Sequence, residues 1–229
     1  GLMPETYSDI RKQWARYYFG GMDIAMHHLR STIFGRNYLT VWQKTDYALG
    51  GLINLGAVFM IFNTLGMVVT SLTYSLLRIF HPELSGEMFY LFIIFSNWLI
   101  IYNCYQVFRM FLISLTFRLV HHAPWLEAIN GAISFQSLIT TQAKAAVRAL
   151  SQQKQPFMKT PKGQKQQHKK VDLKPILLEI TLSLLLAIAL ILLWMTVPSR
   201  TEIAGYMLLG IWKIFVYGST IQRALQPSR

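Results

Sequence analysis

The residues with the clearest capacity for chemistry lie in a basic stretch, where one aromatic ring stands beside a hydroxyl and two amines. Phe157 is followed by Lys159, Thr160 and Lys162 within residues 151–170, which are otherwise polar, basic and nearly free of apolar side chains. A ring of this kind can stack on a nucleobase while neighbouring cations bind phosphates. The more ordinary interpretation is a loop held near anionic lipid headgroups, with about 1 kcal/mol from each Lys or Arg. Composition alone leaves both interpretations open.

Metal ligands and paired acids are sparse. No aspartate lies within two positions of another acid; the four are Asp9, Asp23, Asp46 and Asp172. The single cysteine, Cys104, excludes an internal disulfide and a cysteine-rich metal module. The histidine pairs at residues 27–28 and 121–122 lack the i, i+4 spacing that chelates well, so we expect hydrogen-bonded histidines there. The sequence therefore predicts no metal site.

The composition favours a membrane protein. Hydrophobic residues make up 53% of the 229 residues and charged residues only 14%, whereas a soluble domain carries about a quarter charged. Disordered and fibrous classes are excluded, and an ordinary soluble enzyme is disfavoured. Lys and Arg number 22 against 10 acids, a balance typical of membrane proteins with basic cytoplasmic segments. Membrane topology thus accounts for the excess of basic residues, and nucleic-acid binding is not needed to explain it.

Charge-free runs predict four membrane spans. Residues 47–77, 88–108 and 180–199 carry no charged side chain, and each run reaches the roughly 20 residues that a spanning helix needs. Residues 203–222 form a fourth span with Lys213 near its middle, where the lysine can face a bundle interior. An interfacial or re-entrant helix is the alternative for this segment.

The distribution of basic residues predicts the orientation of the spans. Six precede the first span and eleven lie between the second and third, whereas the two hairpin loops, residues 81–86 and 198–202, hold only Arg200. The positive-inside rule then places both termini in the cytoplasm. We expect an integral membrane protein of the bacterial inner membrane.

Apolar residues at helical spacing predict two cytoplasmic interfacial amphipathic helices, one over residues 7–30 and one along a stripe from Phe135 to Leu150. The predicted fold class is an all-α membrane protein. Its predicted segments are a cytoplasmic interfacial segment, a transmembrane hairpin, an interfacial helix with a basic loop, and a second hairpin with a tail; they cover residues 1–46, 47–120, 121–174 and 175–229.

Two short motifs resemble those of membrane-bound family 2 glycosyltransferases, which include cellulose and hyaluronan synthases. Residues 11–16, Arg-Lys-Gln-Trp-Ala-Arg, resemble the stretch around the family's Q-x-x-R-W motif, which begins an interfacial helix after the catalytic domain. Residues 157–162, Phe-Met-Lys-Thr-Pro-Lys, look like the family's gating loop, which also follows an amphipathic helix and precedes a span. Aligned on Trp14, the chain has Ile10 and Gln13 where the family has glutamine and arginine.

The resemblance implies roles for the matched residues. Trp14 would stack on the acceptor sugar at the mouth of a membrane channel, with Gln13 and Arg11 near the acceptor or the leaving diphosphate. The gating-loop residues would close over the bound nucleotide sugar; they are Phe157, Lys159, Thr160 and Lys162.

A helix face in the second span is a candidate glycan passage. Trp98, Tyr102 and Tyr105 lie at i, i+4 and i+7, and such an aromatic and hydrogen-bonding strip could line a route for a polysaccharide. Interhelical packing and the aromatic belt at the membrane surface explain the same residues at least as well.

The acidic catalytic motifs of this family do not occur in these residues. The resemblance therefore implies that the GT-A α/β catalytic domain, with its Mg or Mn, belongs to a missing N-terminal part or to a separate chain. This chain alone would bind no cofactor and transfer no sugar. Its expected partners are that domain, a nucleotide sugar, a glycan acceptor and membrane lipids, but no nucleic acid. The alternative is a noncatalytic channel, transporter half or scaffold with a lipid-binding loop.

Overall fold

The computed structural model describes residues 7–35, 40–151, 174–197 and 200–225, and this part of the chain is helical without a strand. The fold is all-α, as predicted. Two short 3₁₀ turns, Pro82–Leu84 and Lys174–Ile176, precede the third and sixth helices. The helices are α1 Tyr7–Phe34, α2 Val41–Phe80, α3 Ser85–Val120, α4 Trp125–Gln136, α5 Ile139–Leu150, α6 Leu177–Thr196 and α7 Arg200–Leu225.

Four of the described helices are long and apolar enough to cross a bilayer, which confirms the predicted number of spans. The segments are Leu55–Phe80 of α2, Phe89–Val120 of α3, Leu177–Thr196 of α6 and Ile203–Leu225 of α7. At 1.5 Å per residue, the 40 residues of α2 extend about 60 Å, twice the hydrocarbon thickness. Helix α2 therefore continues well past the span, because a charged residue ends an apolar run without ending a helix.

The stripe predicted as one helix from residue 135 is divided in the structure. Helix α4 ends at Gln136, and α5 begins at Ile139. The Ser137 hydroxyl donates to the carbonyl of Ser134 at 2.7 Å, a local bond that competes with continued helical pairing. Helix α4 itself was not anticipated, since its apolar residues are interrupted by Glu127 and Gly131.

The chain forms two compact units, each discontinuous in sequence. The first comprises residues 1–61, 138–172 and 223–229, and its described helices pack α1 against α5. The second comprises residues 62–137 and 173–222 and contains most of the membrane segments. The four segments predicted from the sequence, residues 1–46, 47–120, 121–174 and 175–229, were defined by the side of the membrane on which each lies. They stay a prediction.

In the second unit, four helices share one apolar core. Met67 of α2, Phe92 of α3, Leu186 of α6 and Tyr206 of α7 are all buried in it. Gly210 of α7 faces Leu190 of α6 so closely that a Cβ at this glycine would lie 2.5 Å from Leu190 Cδ1.

Candidate functional site

Arg11 of α1 joins the first unit's two helices through polar contacts. Its side chain is buried; Nε donates to Thr141 Oγ1 at 2.8 Å and Nη2 to Thr140 Oγ1 at 3.3 Å, both on α5. The guanidinium carbon also lies 6.0 Å from the centre of the Tyr7 ring. A buried cation must be compensated by such contacts, so Arg11 fixes the register of α1 against α5.

Trp14 lies one turn after Arg11, half-buried in the apolar contact between the same helices. Its ring contacts Tyr17 and Tyr18, with centroid distances of 6.0 and 5.5 Å. The cluster around it includes Leu138 and Ala145 from the α5 region. The apolar faces predicted to lie on the membrane surface thus contact each other, and the indole keeps part of its surface exposed.

Gln13 is oriented differently from its two predicted companions. Its Nε2 donates to the hydroxyl of Tyr17 one turn further along α1, at 3.2 Å. The structure thus brings Arg11 and Trp14 to the α5 contact and holds Gln13 within its own helix. The described residues stop at 151 and resume at 174. The gating-loop candidates lie outside them; they are Phe157, Lys159, Thr160 and Lys162.

The candidate passage residues are divided between an exposed and a half-buried environment. Trp98 is 72% exposed and Tyr105 is 55% exposed on α3. Tyr102 is half-buried, and its hydroxyl accepts a hydrogen bond from Gln106 Nε2 at 2.7 Å. Only 22% of the apolar window of α3 is buried, against 33% to 39% for the other three spans, so α3 is the least covered of the four.

A buried polar cluster lies in the second unit. Lys213 is fully buried in α7, and its Nζ donates to Thr64 Oγ1 of α2 at 3.0 Å. The same threonine oxygen lies 2.9 Å from the hydroxyl of Tyr217, one turn along α7. Glu179 of α6 is also fully buried in the same unit. Helices α2 and α7 therefore share a buried polar cluster of Lys213, Thr64 and Tyr217.

The sequence indicated that Lys213 could face a bundle interior, but its neighbours Thr64 and Tyr217 were missed. Thr64 is 149 positions from Lys213, and a threonine in an apolar run carries no local signal of such a contact. The one available signal was spacing, because Lys213 and Tyr217 lie at i and i+4 and share a helix face.

A second set of hydroxyl side chains lies nearer the N-terminus of α7. Tyr206 donates to the carbonyl of Met67 at 2.8 Å and lies 2.9 Å from Thr70 Oγ1 and 3.0 Å from Ser71 Oγ. Further along, Thr196 of α6 donates to Ser75 Oγ at 3.2 Å. Thr64, Ser71 and Ser75 are all fully buried and follow one face of α2.

Amide groups join α2 to α3 beside this core. Asn103 Nδ2 donates to Asn63 Oδ1 at 3.0 Å and to the carbonyl of Leu99 at 2.6 Å. Gln106 is buried, and its Oε1 has no hydrogen-bond partner within the described ranges.

No group of three or more His, Cys, Asp or Glu side chains that could hold a metal occurs among the described residues. The described residues offer hydrogen bonding by hydroxyl, amine and carboxyl groups, together with exposed aromatic rings such as Trp98 and Tyr105 of α3. Comparison of the chain with protein-family models, with curated proteins and with solved structures finds no match.

Proposed function

We propose that this chain is the membrane-embedded C-terminal part of a glycosyltransferase that transfers a sugar from a nucleotide sugar to a glycan or other acceptor. The observation that carries the proposal is the bond from Arg11 to Thr141, which ties the Q-x-x-R-W-like segment to α5. Helix α5 directly precedes the basic stretch with the gating-like motif. Residues distant in sequence but matched to one active site would need this proximity.

In this proposal the half-exposed indole of Trp14 stacks on the acceptor sugar, because the apolar C–H face of a pyranose suits an aromatic ring. Arg11 is committed to Thr140 and Thr141, so it positions α1 more directly than it binds the acceptor. Lys159 and Lys162 stabilise the negative charge that develops on the departing diphosphate. The divalent metal belongs to the catalytic domain.

The aromatic strip of α3 would guide the product through the membrane. Trp98 and Tyr105 supply exposed rings, and Tyr102 supplies a hydroxyl already oriented by Gln106. This role requires a further element or chain to cover the exposed face of α3. The proposal places the protein in the bacterial inner membrane with both termini cytoplasmic and the basic stretch near anionic lipids.

The test expresses the chain from its own gene and measures how much radiolabelled sugar the membranes incorporate from a panel of nucleotide sugars. Trp14→Ala and Phe157→Ala are each expected to reduce incorporation by about 100-fold, because positioning of the reactants is lost. The matched controls are Trp42→Ala and Phe59→Ala, which remove an 83% and a 59% exposed ring from α2. Equal incorporation in all four variants would overturn the proposal.

The buried Lys213 and Glu179 favour the alternative, a transporter-like membrane protein without transferase activity. A second arm of the same assay separates the two functions. Scrambling residues 151–170 at constant charge displaces Phe157 and Thr160 but keeps the attraction to lipid. The transferase proposal requires that this change abolish incorporation; the alternative predicts no dependence on nucleotide sugar.

A further inference from the structure

The second unit contains a lysine in the middle of a span, where burying an ionisable group costs free energy. Lys213 is the eleventh of 23 residues in the segment Ile203–Leu225, and its side chain is 0% exposed. Charged groups at this depth are costly and are usually kept for a function, such as a proton or ion pathway. The fully buried Glu179 adds a second ionisable group to the same unit.

Two hydroxyl groups continue from the amine of Lys213. The amine of Lys213 contacts Thr64 Oγ1 at 3.0 Å, and that oxygen contacts the Tyr217 hydroxyl at 2.9 Å. Either hydroxyl can donate to the other, as a proton relay requires. Glu179, in the first turn of α6, is the fully buried carboxyl group of the same unit.

A second set of hydroxyls continues toward the other end of the span. Tyr206 lies two turns before Lys213 on α7, about 10 Å along the axis, and contacts Thr70 and Ser71. Ser75 and Thr196 follow in the same direction. Lys213 lies between the two sets, and a lysine side chain is long and flexible enough to move between partners.

We propose that Lys213 is an intramembrane proton-binding site and that these hydroxyls carry its protons across the bilayer. In the transfer step the Lys213 ammonium gives one proton to Thr64 Oγ1, while the Thr64 hydroxyl proton passes to Tyr217 and the Tyr217 proton passes to the Glu179 carboxylate. One N–H bond is lost and one O–H bond is gained, so an ammonium and a carboxylate become a neutral amine and a neutral acid. The set that begins at Tyr206 returns a proton to the amine.

The groups that surround Lys213 suit this step. Tyr206 and Tyr217 lie on α7 with Lys213, Glu179 is fully buried in α6, and the half-buried Tyr102 lies on α3. Helix α2 contributes hydroxyls, which can both accept and donate a proton. A purely structural polar contact between helices would need neither an ionisable pair nor hydroxyls that continue on both sides.

The experiment measures proton entry into liposomes that contain the chain and a pH-sensitive dye. A potassium gradient with valinomycin supplies the driving force, and no nucleotide sugar is present, so the result is independent of the proposed transferase activity. The chain is expected to acidify the lumen faster than protein-free liposomes. Lys213→Met is expected to remove this increase, and Thr64→Val and Tyr217→Phe each to lower it strongly.

Two matched controls keep the wild-type rate. Thr116→Val removes a span hydroxyl that donates only within its own helix, to the carbonyl of Leu112, and Lys174→Met removes an exposed lysine outside the spans. A wild-type rate equal to that of protein-free liposomes would overturn the proposal. So would an unchanged rate in Lys213→Met with only its unfolding temperature altered, which would identify a structural contact. If Lys213→Met does not insert, the threonine and tyrosine variants decide by the same criterion.

Discussion

At the scale of single residues, the contact between Arg11 and Thr141 explains how two amphipathic helices pair specifically. Apolar faces alone would allow several registers, because aromatic and alanine side chains slide past one another at little cost. A buried guanidinium does not permit this freedom, since each displaced hydrogen bond leaves a charged donor without compensation. Arg11 therefore selects the register in which Thr140 and Thr141 meet it.

This role gives a direct prediction for stability. Thr141→Val keeps the side-chain shape but removes the acceptor of the 2.8 Å bond from Arg11 Nε, so the free energy of unfolding should fall by about 1.5–3 kcal/mol. Thr45→Val, which removes an exposed hydroxyl bonded to the carbonyl of Val41 in its own helix, should change it by less than about 0.5 kcal/mol. Denaturant titration in micelles measures both, and equal effects would contradict the role of Arg11.

Arg11 also shows what sequence reasoning could not supply. The basic and aromatic residues of α1 were recognised from type and spacing, but the partner of Arg11 lies 130 positions away. A threonine in α5 has no local feature that distinguishes a guanidinium acceptor from a solvent-exposed hydroxyl. The same reason concealed Thr64 as the partner of Lys213.

At the scale of elements, the packing of α6 on α7 depends on a small residue at the point of closest approach. A Cβ at Gly210 would lie 2.5 Å from Leu190 Cδ1 and 3.0 Å from Cδ2. Leu190 is 3% exposed and lies in the core with Leu186 and Tyr206, so it can move aside only by displacing them. Close approach at a glycine is a common device of helix pairs in membranes.

Gly210→Ala should therefore lower the free energy of unfolding, because an overpacking cost of about 1–3 kcal/mol outweighs the gain in helix propensity. Gly205→Ala is the matched change on the same helix, and no heavy atom lies within 4 Å of its new Cβ. This control should be neutral or stabilising by up to about 1 kcal/mol. The unfolding temperature should fall in Gly210→Ala and stay equal or rise in Gly205→Ala; a stabilised Gly210→Ala would show that the helices can separate at this point.

The spans were predictable because the bilayer imposes one requirement on many consecutive residues. A run of about 20 apolar residues can be recognised as a span without any knowledge of its contacts. The helix ends were less predictable: α3 continues from the last residue of the predicted span, Phe108, to Val120, since backbone pairing tolerates Arg109 and Arg118. Helix α4 and the division at Ser137 depend on local hydrogen bonds that hydropathy does not contain.

At the scale of the whole molecule, the chain combines a basic surface chemistry with a polar membrane interior. Most of the basic residues that give the net charge of +12 precede the first span or lie between the second and third spans, and they would attract anionic lipid or a nucleotide diphosphate. The interior of the second unit instead holds hydroxyls, amides and two buried ionisable groups. The two features suit different ligands, so transfer chemistry and proton movement are testable separately.

The proposal that α1 and residues 157–162 form one sugar-transfer site is tested most directly by crosslinking. In a Cys104→Ser background, cysteines replace Gln13 and Lys159 in membranes that contain the chain together with the proposed catalytic domain, and a short bismaleimide is added with and without nucleotide sugar. The account predicts a crosslink whose yield rises when a nucleotide sugar binds. The control pair replaces Gln13 and Glu83, which lies in the loop between the first two spans, and should not react. Absence of the first crosslink, or the same yield from both pairs, would contradict the account.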